Sequence, residues 1–249
     1  MFPEIHFFNL IIPMYPLCVA TGFLIGTIFL YFRANKYGFS EKLIFPLMCF
    51  AEAGVIIGGK ILFLLINFRL LPKYYSSVGI FGLFTKTGFV FYGGLFGGIF
   101  TIWIFSKIYT ASFFESLSLV CSVTPLVHAL GRIGCFCAGC CYGIEYEGFC
   151  SVYIHGANRF PVQLLEASLL LVLFGVIQIL LRSAKKSIVL VYFLGYGLIR
   201  FFCEFLRGDE ARGFIGGLSV SMWISILCIM FGSIFTIYKL IKLDKKYNK

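Results

Sequence analysis

In this chain of 249 residues several arginines fall within or beside long apolar runs, where an ionised side chain costs several kcal/mol unless water or a partner meets it. Each is therefore a candidate for function. The stretch "VYFLGYGLIRFFCEFLRGDE" places Tyr192, Tyr196, Arg200, Glu204 and Arg207 at spacings of four, four, four and three, which puts all five on one helical face. Such a stripe faces a cavity in a bundle rather than lipid. One reading is a structural Arg200–Glu204 ion pair locking neighbouring helices. The other is an anion site, favoured because two arginines oppose one glutamate. Arg132, in "GRIG", is a third arginine of this kind. Gly131 and Gly134 remove bulk on either side of it, so that a ligand headgroup or a neighbouring backbone can approach. Its guanidinium suits bidentate contact with phosphate; the opposing reading is a snorkelling anchor at the end of a span.

After Arg132 come Cys135, Cys137, Cys140 and Cys141. Metal sites usually draw ligands from two separated pairs, whereas these four lie in one run with no histidine pair nearby. Structural or oxidised thiols fit better, and neither a metal nor a cofactor is expected; a thiol redox or metal-binding protein stays open as an alternative. Five other cysteines, Cys18, Cys49, Cys121, Cys203 and Cys228, fall in apolar runs and read as packing. "YGGLFGG" at 92–98 offers small-xxx-small pairs for close helix packing. It also offers a hydroxyl, Tyr92, able to donate to a phosphate or relay a proton. Gln163 and Glu166 open another apolar run, as residues that compensate a helix dipole or as part of the site. Glu52 and Lys60 add two more charges to a second run.

The elements that must position these groups follow from composition. Hydrophobic residues make up 60% of the chain and charged ones 13%, against about 25% charged in soluble domains. Runs of the length a bilayer requires, about 20 residues, occupy 10–32, 43–67, 89–109, 116–134, 162–182, 188–206 and 217–240, with Pro125 and His128 interrupting the fourth. The reading is an all-α polytopic membrane helix bundle of about seven transmembrane helices, one integral domain over 1–249. "MFPEIHFFNL" lacks a basic n-region and a cleavage site, so the first span is expected to stay as an anchor. Twelve Lys and Arg residues fall on one side (Arg33, Lys36, Lys42, Lys107, Arg182, Lys185, Lys186 and five in the carboxyl-terminal tail) against six on the other (Arg69, Lys73, Lys86, Arg159, Arg207, Arg212). This predicts an amino terminus outside and a cytoplasmic carboxyl terminus. The net charge of +10 follows these loops, so anionic membrane lipids rather than nucleic acid are the expected partner. A transporter would also carry intramembrane charge, but no inverted repeat is visible.

Six segments in order resemble the prolipoprotein diacylglyceryl transferases: Tyr15 in the first span, "GGK" at 58–60, "YGGLFGG" at 92–98, "GRIGCFCAGCCYG" at 131–143, "PVQLLEA" at 161–167 and "RFFCEFLRGDE" at 200–210. The resemblance implies transfer of diacylglyceryl from phosphatidylglycerol to a cysteine thiol in the signal peptide of a lipoprotein precursor, in a bacterial plasma membrane. Glycerol phosphate leaves and a thioether forms. It implies Arg132, Arg200 and Glu204 as catalytic residues, to which the reading of the residues adds the Tyr92 hydroxyl. Arg132 would hold the phosphate, Arg200 would stabilise the departing oxygen, and Glu204 and Arg207 would orient them. Tyr15, Gly93, Gly94, Gly131, Gly134, Gly143, Gln163 and Glu166 join Arg132 and Arg207 as substrate-binding residues. The chain departs from the family pattern where a histidine usually precedes Gly-Gly (Tyr92), where Asn, Asn and an acidic residue usually follow "GRIG" (Cys135, Ala138, Cys140), and at Met222, where glutamine is common. Those departures leave a divergent lipid transferase with another acceptor as the alternative.

Overall fold

The computed structural model describes residues 2–7, 10–71, 75–76, 79, 82, 88–181, 188–209, 213–230 and 232–233. Its helices are α1 (Met14–Arg33), α2 (Ile44–Ile66), α3 (Phe91–Ile108), α4 (Phe113–Ala138), α5 (Val162–Leu180), α6 (Ile188–Phe205) and α7 (Val220–Met230). Each apolar run of the sequence thus holds one helix. Helices α1, α4, α5 and α6, and α2 with the turn before it, are long and apolar enough to cross a membrane. Large apolar side chains such as Leu24, Phe32, Phe45, Leu65, Phe96 and Phe202 point outward, while Gln163, Glu166, Arg200 and Glu204 are buried. This inverts the arrangement of a water-soluble domain and fits a multi-pass membrane protein. Lys73, Lys86, Arg182, Lys185, Lys186, Arg212 and the lysines of the carboxyl-terminal tail, on which the reading of sidedness draws, lie outside the described residues.

Two boundaries differ from the apolar runs, each for a local reason. The first run begins at residue 10, but Leu10–Pro13 is strand β2, paired antiparallel with β1 (Glu4–Phe7). A short apolar run has the same composition in a strand as in a helix end. The fourth run continues through Pro125 to Ala138. A proline inside a helix lacks the N–H its turn requires and crowds the preceding carbonyls. Gln178 of α5 donates to the carbonyl of Ser122, three residues before the proline, at 2.8 Å. Two further hairpins join helices: β3 (Val152–Ile154) with β4 (Ala157–Arg159), and β5 (Phe214–Ile215) with β6 (Leu218–Ser219). Both turn on two residues of positive φ, His155–Gly156 and Gly216–Gly217, as tight primed turns require.

The chain divides into two compact units, Leu30–Val120 and Met1–Phe29 with Cys121–Lys249. In the first, α2 and α3 meet through glycine. A Cβ at Gly93 would lie 2.2 Å from the Gly58 carbonyl oxygen, and one at Gly97 would lie 2.2 Å from that of Gly54. In the second, α1 runs antiparallel along α4. Gly22 lies against Val127 and Leu130, Gly26 against Val123, and Gly134 against Tyr15 and Cys18. Helices α4, α5 and α6 share a core of Ala129, Ala167 and Leu170, packed by Ile133, Tyr196 and Ile199.

Candidate functional site

Against that core the second unit buries a chain of alternating charges. Arg132 Nε of α4 lies 3.0 Å from Glu166 Oε1 of α5. The other Glu166 oxygen accepts from Arg200 Nη1 of α6 at 3.4 Å. Arg200 Nη2 donates to Glu204, one turn further on, and to the Ser221 hydroxyl of α7 at 3.2 Å. Glu204 Oε2 lies 3.7 Å from Arg207 Nη1. Arg207 ends the chain with a two-pronged contact to Asp209, Nε to Oδ1 at 2.8 Å and Nη2 to Oδ2 at 2.5 Å. Three helices therefore carry the run from Arg132 to Glu204, with Ser221 of α7 against it, and the order Arg132, Glu166, Arg200, Glu204, Arg207, Asp209 alternates in sign throughout.

The two ends of the chain are not equivalent. Arg207 is held on both sides and Arg200 reaches three side chains. Arg132 faces Glu166 without an aligned hydrogen bond, and its Nε is buried with no hydrogen-bond partner. The ion pair to Glu166 is made through Nε, one nitrogen of a guanidinium that carries five N–H donors. The Arg132 side chain keeps 13% exposure.

The sixth-helix stripe is on one face as its spacing predicts: Tyr192 and Tyr196 stack with ring centroids 5.9 Å apart, continuous with Arg200 and Glu204. Its charge balance differs from the expected positive excess. Glu166 enters from α5 and Asp209 from beyond the helix end, giving three carboxylates to three arginines. Gln163 is buried, but its amide donates to the Cys140 carbonyl at 2.9 Å. Tyr15 and Gly134 are in backbone contact between α1 and α4, and Gly131 meets only Val19 at an ordinary 3.6 Å. A Cβ at Gly143 would lie 2.2 Å from the Phe160 carbonyl oxygen, so only glycine permits this backbone approach. Tyr92, Gly93 and Gly94 belong to the other unit, where Gly93 touches Gly58 and Leu62, and Gly94 touches Phe89 and Val55.

Sequence reasoning did not single out Asp209 or Ser221. Asp209 lies past the last helical turn, where the spacing of four no longer applies, and Ser221 approaches from another helix. His128, one turn before Arg132 on α4, packs on Tyr196 with ring centroids 4.9 Å apart.

The thiols sort into two groups. The Cys135, Cys140 and Cys141 sulfurs all lie within 4.8 Å of one another. They could hold a thiophilic ion; Cys137 is not among them. Helix α4 ends in a Schellman turn: Gly139 has φ +71°, its N–H donates to the Phe136 carbonyl at 3.2 Å, and the Cys140 N–H donates to that of Cys135 at 3.1 Å. That turn brings residues five apart together. Hydrogen bonds from Cys135 and Cys140, supported by the charges of Arg207 and Arg132, hold the Cys141 thiol well below its usual range against the effect of burial.

The family model described as prolipoprotein diacylglyceryl transferase matches residues 4–238. The chain belongs to that family. A phosphatidylglycerol–prolipoprotein diacylglyceryl transferase of Clostridium tetani is 32% identical over 240 residues, covering 90% of this chain and 92% of the relative. A phosphatidylglycerol–prolipoprotein diacylglyceryl transferase 2 of Clostridium perfringens is 31% identical over 238 residues, covering 90% of each. A relative of the same name in Helicobacter hepaticus is 28% identical over 91% of this chain and 82% of its own length.

Proposed function

We propose that this protein moves a diacylglyceryl group from phosphatidylglycerol to the signal-peptide cysteine thiol of a lipoprotein precursor. The observation that carries the reading is the uneven commitment of the arginines. Arg132 has donors to offer an incoming phosphate, whereas Arg200 and Arg207 are fixed by carboxylates before any ligand arrives. In this reading Arg132 grips the phosphodiester. Arg200, held rigid by Glu166 and Glu204, meets the charge that develops on the departing phosphate oxygen. A cation preset in a water-poor site needs no reorganisation at that moment, and such stabilisation is worth several kcal/mol of barrier. The carbon–oxygen bond to phosphate breaks, a carbon–sulfur bond forms, and glycerol phosphate leaves with the electron pair.

The names of the Clostridium and Helicobacter relatives support both substrates, and the shared length supports the whole reaction rather than a fragment of it. The setting consistent with this function is a bacterial plasma membrane, with the amino terminus outside and the carboxyl terminus cytoplasmic. Tyr15, Gln163 and the glycines near Arg132 then shape the lipid site by fixing backbone. By the resemblance Tyr92 stands where a histidine is usual, and transfer by a Tyr92→Phe variant tests whether its hydroxyl takes part in proton removal.

The test is a transfer assay with phosphatidylglycerol labelled in its acyl chains and a peptide carrying the acceptor cysteine. Arg132→Ala and Arg200→Ala should each abolish labelling of the peptide. Full activity in both variants would overturn the mechanism. Consumption of lipid without labelling of the peptide would redirect the reading to another acceptor.

A further inference from the structure

We propose that Cys135, Cys140 and Cys141 form a three-thiolate site for a thiophilic divalent cation of the zinc class, with a fourth coordination position open to an external thiol.

The local fold builds this site from sequence upward. A Schellman turn places the side chains at its third-last helical position and two past its cap in contact, and here those positions are Cys135 and Cys140. Cys141 follows with φ +55°, a left-handed conformation that strains a non-glycine residue. That turn returns its side chain to the other two, and the three sulfurs lie within 4.8 Å of one another. Zinc–thiolate bonds of about 2.3 Å place tetrahedral sulfurs roughly 3.8 Å apart, so closure on an ion needs only a small adjustment of side chains.

The loop that carries these sulfurs is anchored at each step. Gln163 donates to the Cys140 carbonyl at 2.9 Å, and His155 Nε2 lies 2.8 Å from the Gly139 carbonyl, to which it donates. Gly208 N–H donates to the Tyr142 carbonyl at 3.0 Å. Ligands held on such a frame lose little freedom when an ion binds. Cys135 is buried and Cys140 is exposed, which gives an ion a dry floor and a way in. Three thiolates and a divalent ion leave one negative charge, and Arg132 and Arg207 lie close enough to act on Cys141.

The open position gives the site a use, which rests on the transferase reading above. A thiol that coordinates a zinc-class ion loses its proton. An acceptor R–SH entering the fourth position displaces water, gives its proton to solvent and remains as thiolate beside Arg132. That thiolate then attacks the glycerol carbon as the carbon–oxygen bond to phosphate breaks. No electron is gained or lost at the metal. This route removes the thiol proton without calling on a base from the protein.

The experiment uses the full chain in detergent micelles, reduced and freed of metal under anaerobic conditions, then titrated with Zn2+ and with Cd2+ as a spectroscopic probe. Expected are one ion per chain, a thiolate-to-cadmium absorption band, and protection of Cys135, Cys140 and Cys141 from alkylation. Cys135→Ser and Cys141→Ser should each lower affinity at least tenfold, while Cys137→Ser and Cys150→Ser bind as the parent does. Unchanged binding in a triple serine variant, unprotected thiols in the unaltered chain, or a disulfide within the trio that excludes the ion would overturn the site. Transfer is then assayed with metal removed and with Zn2+ restored. Loss on removal and recovery on restoration support thiol activation. Equal transfer in the triple serine variant refutes it. If the loaded chain binds its ion but never labels a cysteine peptide, the transferase reading fails while the metal site stands.

Discussion

In the unit that holds Arg132, three arginines and three carboxylates neutralise one another between helices; in the unit Leu30–Val120, helices α2 and α3 meet through Gly54, Gly58, Gly93 and Gly97 with their backbones almost touching. Both face the same difficulty. In an apolar solvent, helices gain little by hiding apolar side chains from lipid, so association rests on close packing and polar contact. The glycine pair uses packing, and its fit depends on volume. The charge chain uses polar contact, and its fit depends on balance: each interior member faces two partners of opposite sign. The two regions should therefore fail differently, one to an added methyl group and the other to a removed charge.

The largest effect expected is from Glu166→Gln. It leaves Arg132 and Arg200 facing each other without the carboxylate that separates them. Removing one partner of a buried ion pair costs about 3–5 kcal/mol. Denaturant unfolding in mixed micelles should show a loss in that range, with transfer abolished. A loss below about 1 kcal/mol would mean that water, not Glu166, neutralises these arginines.

Next in size is Gly97→Ala. Its new methyl would meet backbone atoms of Gly54 and Gly58, which cannot rotate away. Overpacking of this kind costs about 1–3 kcal/mol. Gly131→Ala is the matched control, since its methyl meets only Val19 at 3.6 Å. Alanine also favours helix by up to about 1 kcal/mol over glycine, so this variant should unfold no more readily than the parent. If both alanine variants behave alike, glycine spacing does not determine how α2 and α3 pack.

How far the sequence announced this arrangement depends on the residue. Helical spacing reveals the stripe from Tyr192 to Arg207 because period is a property of one segment. Glu166 was visible as a candidate, but its role as the link between Arg132 and Arg200 depends on α4 and α6 flanking α5. No single segment carries that information. Asp209 was missed because it acts after the helix has ended, and Ser221 because it comes from another helix. The family resemblance supplied the roles of Arg132 and Arg200, and the structure adds that their donors are committed to different degrees. The cysteines show the limit most clearly. Four thiols in seven residues look equivalent in sequence; the positive φ of Gly139 and Cys141 gathers three of them and leaves Cys137 apart.

That difference in commitment can be measured through paired lysine substitutions. Lysine retains the charge but loses the planar fork that grips phosphate. Arg132→Lys should weaken binding of phosphatidylglycerol about tenfold, near 1.4 kcal/mol, with unfolding almost unchanged. Arg200→Lys should do the reverse, destabilising the fold through lost contacts to Glu166, Glu204 and Ser221 while lipid still binds. Equal effects of the two on binding would remove the distinction between the free end of the chain and its interior.

The smallest effect concerns the thiols beside that chain. A free cysteine has a pKa of about 8.5 and reacts with iodoacetamide only as its thiolate. The Cys141 thiol is held lower by hydrogen bonds from Cys135 and Cys140 and by the nearby arginines. A lowered pKa means that the thiolate is present on the alkaline side of a lower midpoint, so alkylation of Cys141 in reduced, metal-free protein should persist into mildly acidic solution. Peptide mapping across a pH series would give its midpoint. Cys135→Ala removes a thiol hydrogen bond and Arg207→Gln a cation, so both should move the midpoint toward alkaline pH. Because the hydrogen bonds exceed the arginine contribution, the alanine variant should move it further. The opposite order would make Cys141 part of the charge chain itself, and the contrast between the two units would then extend to their cysteines.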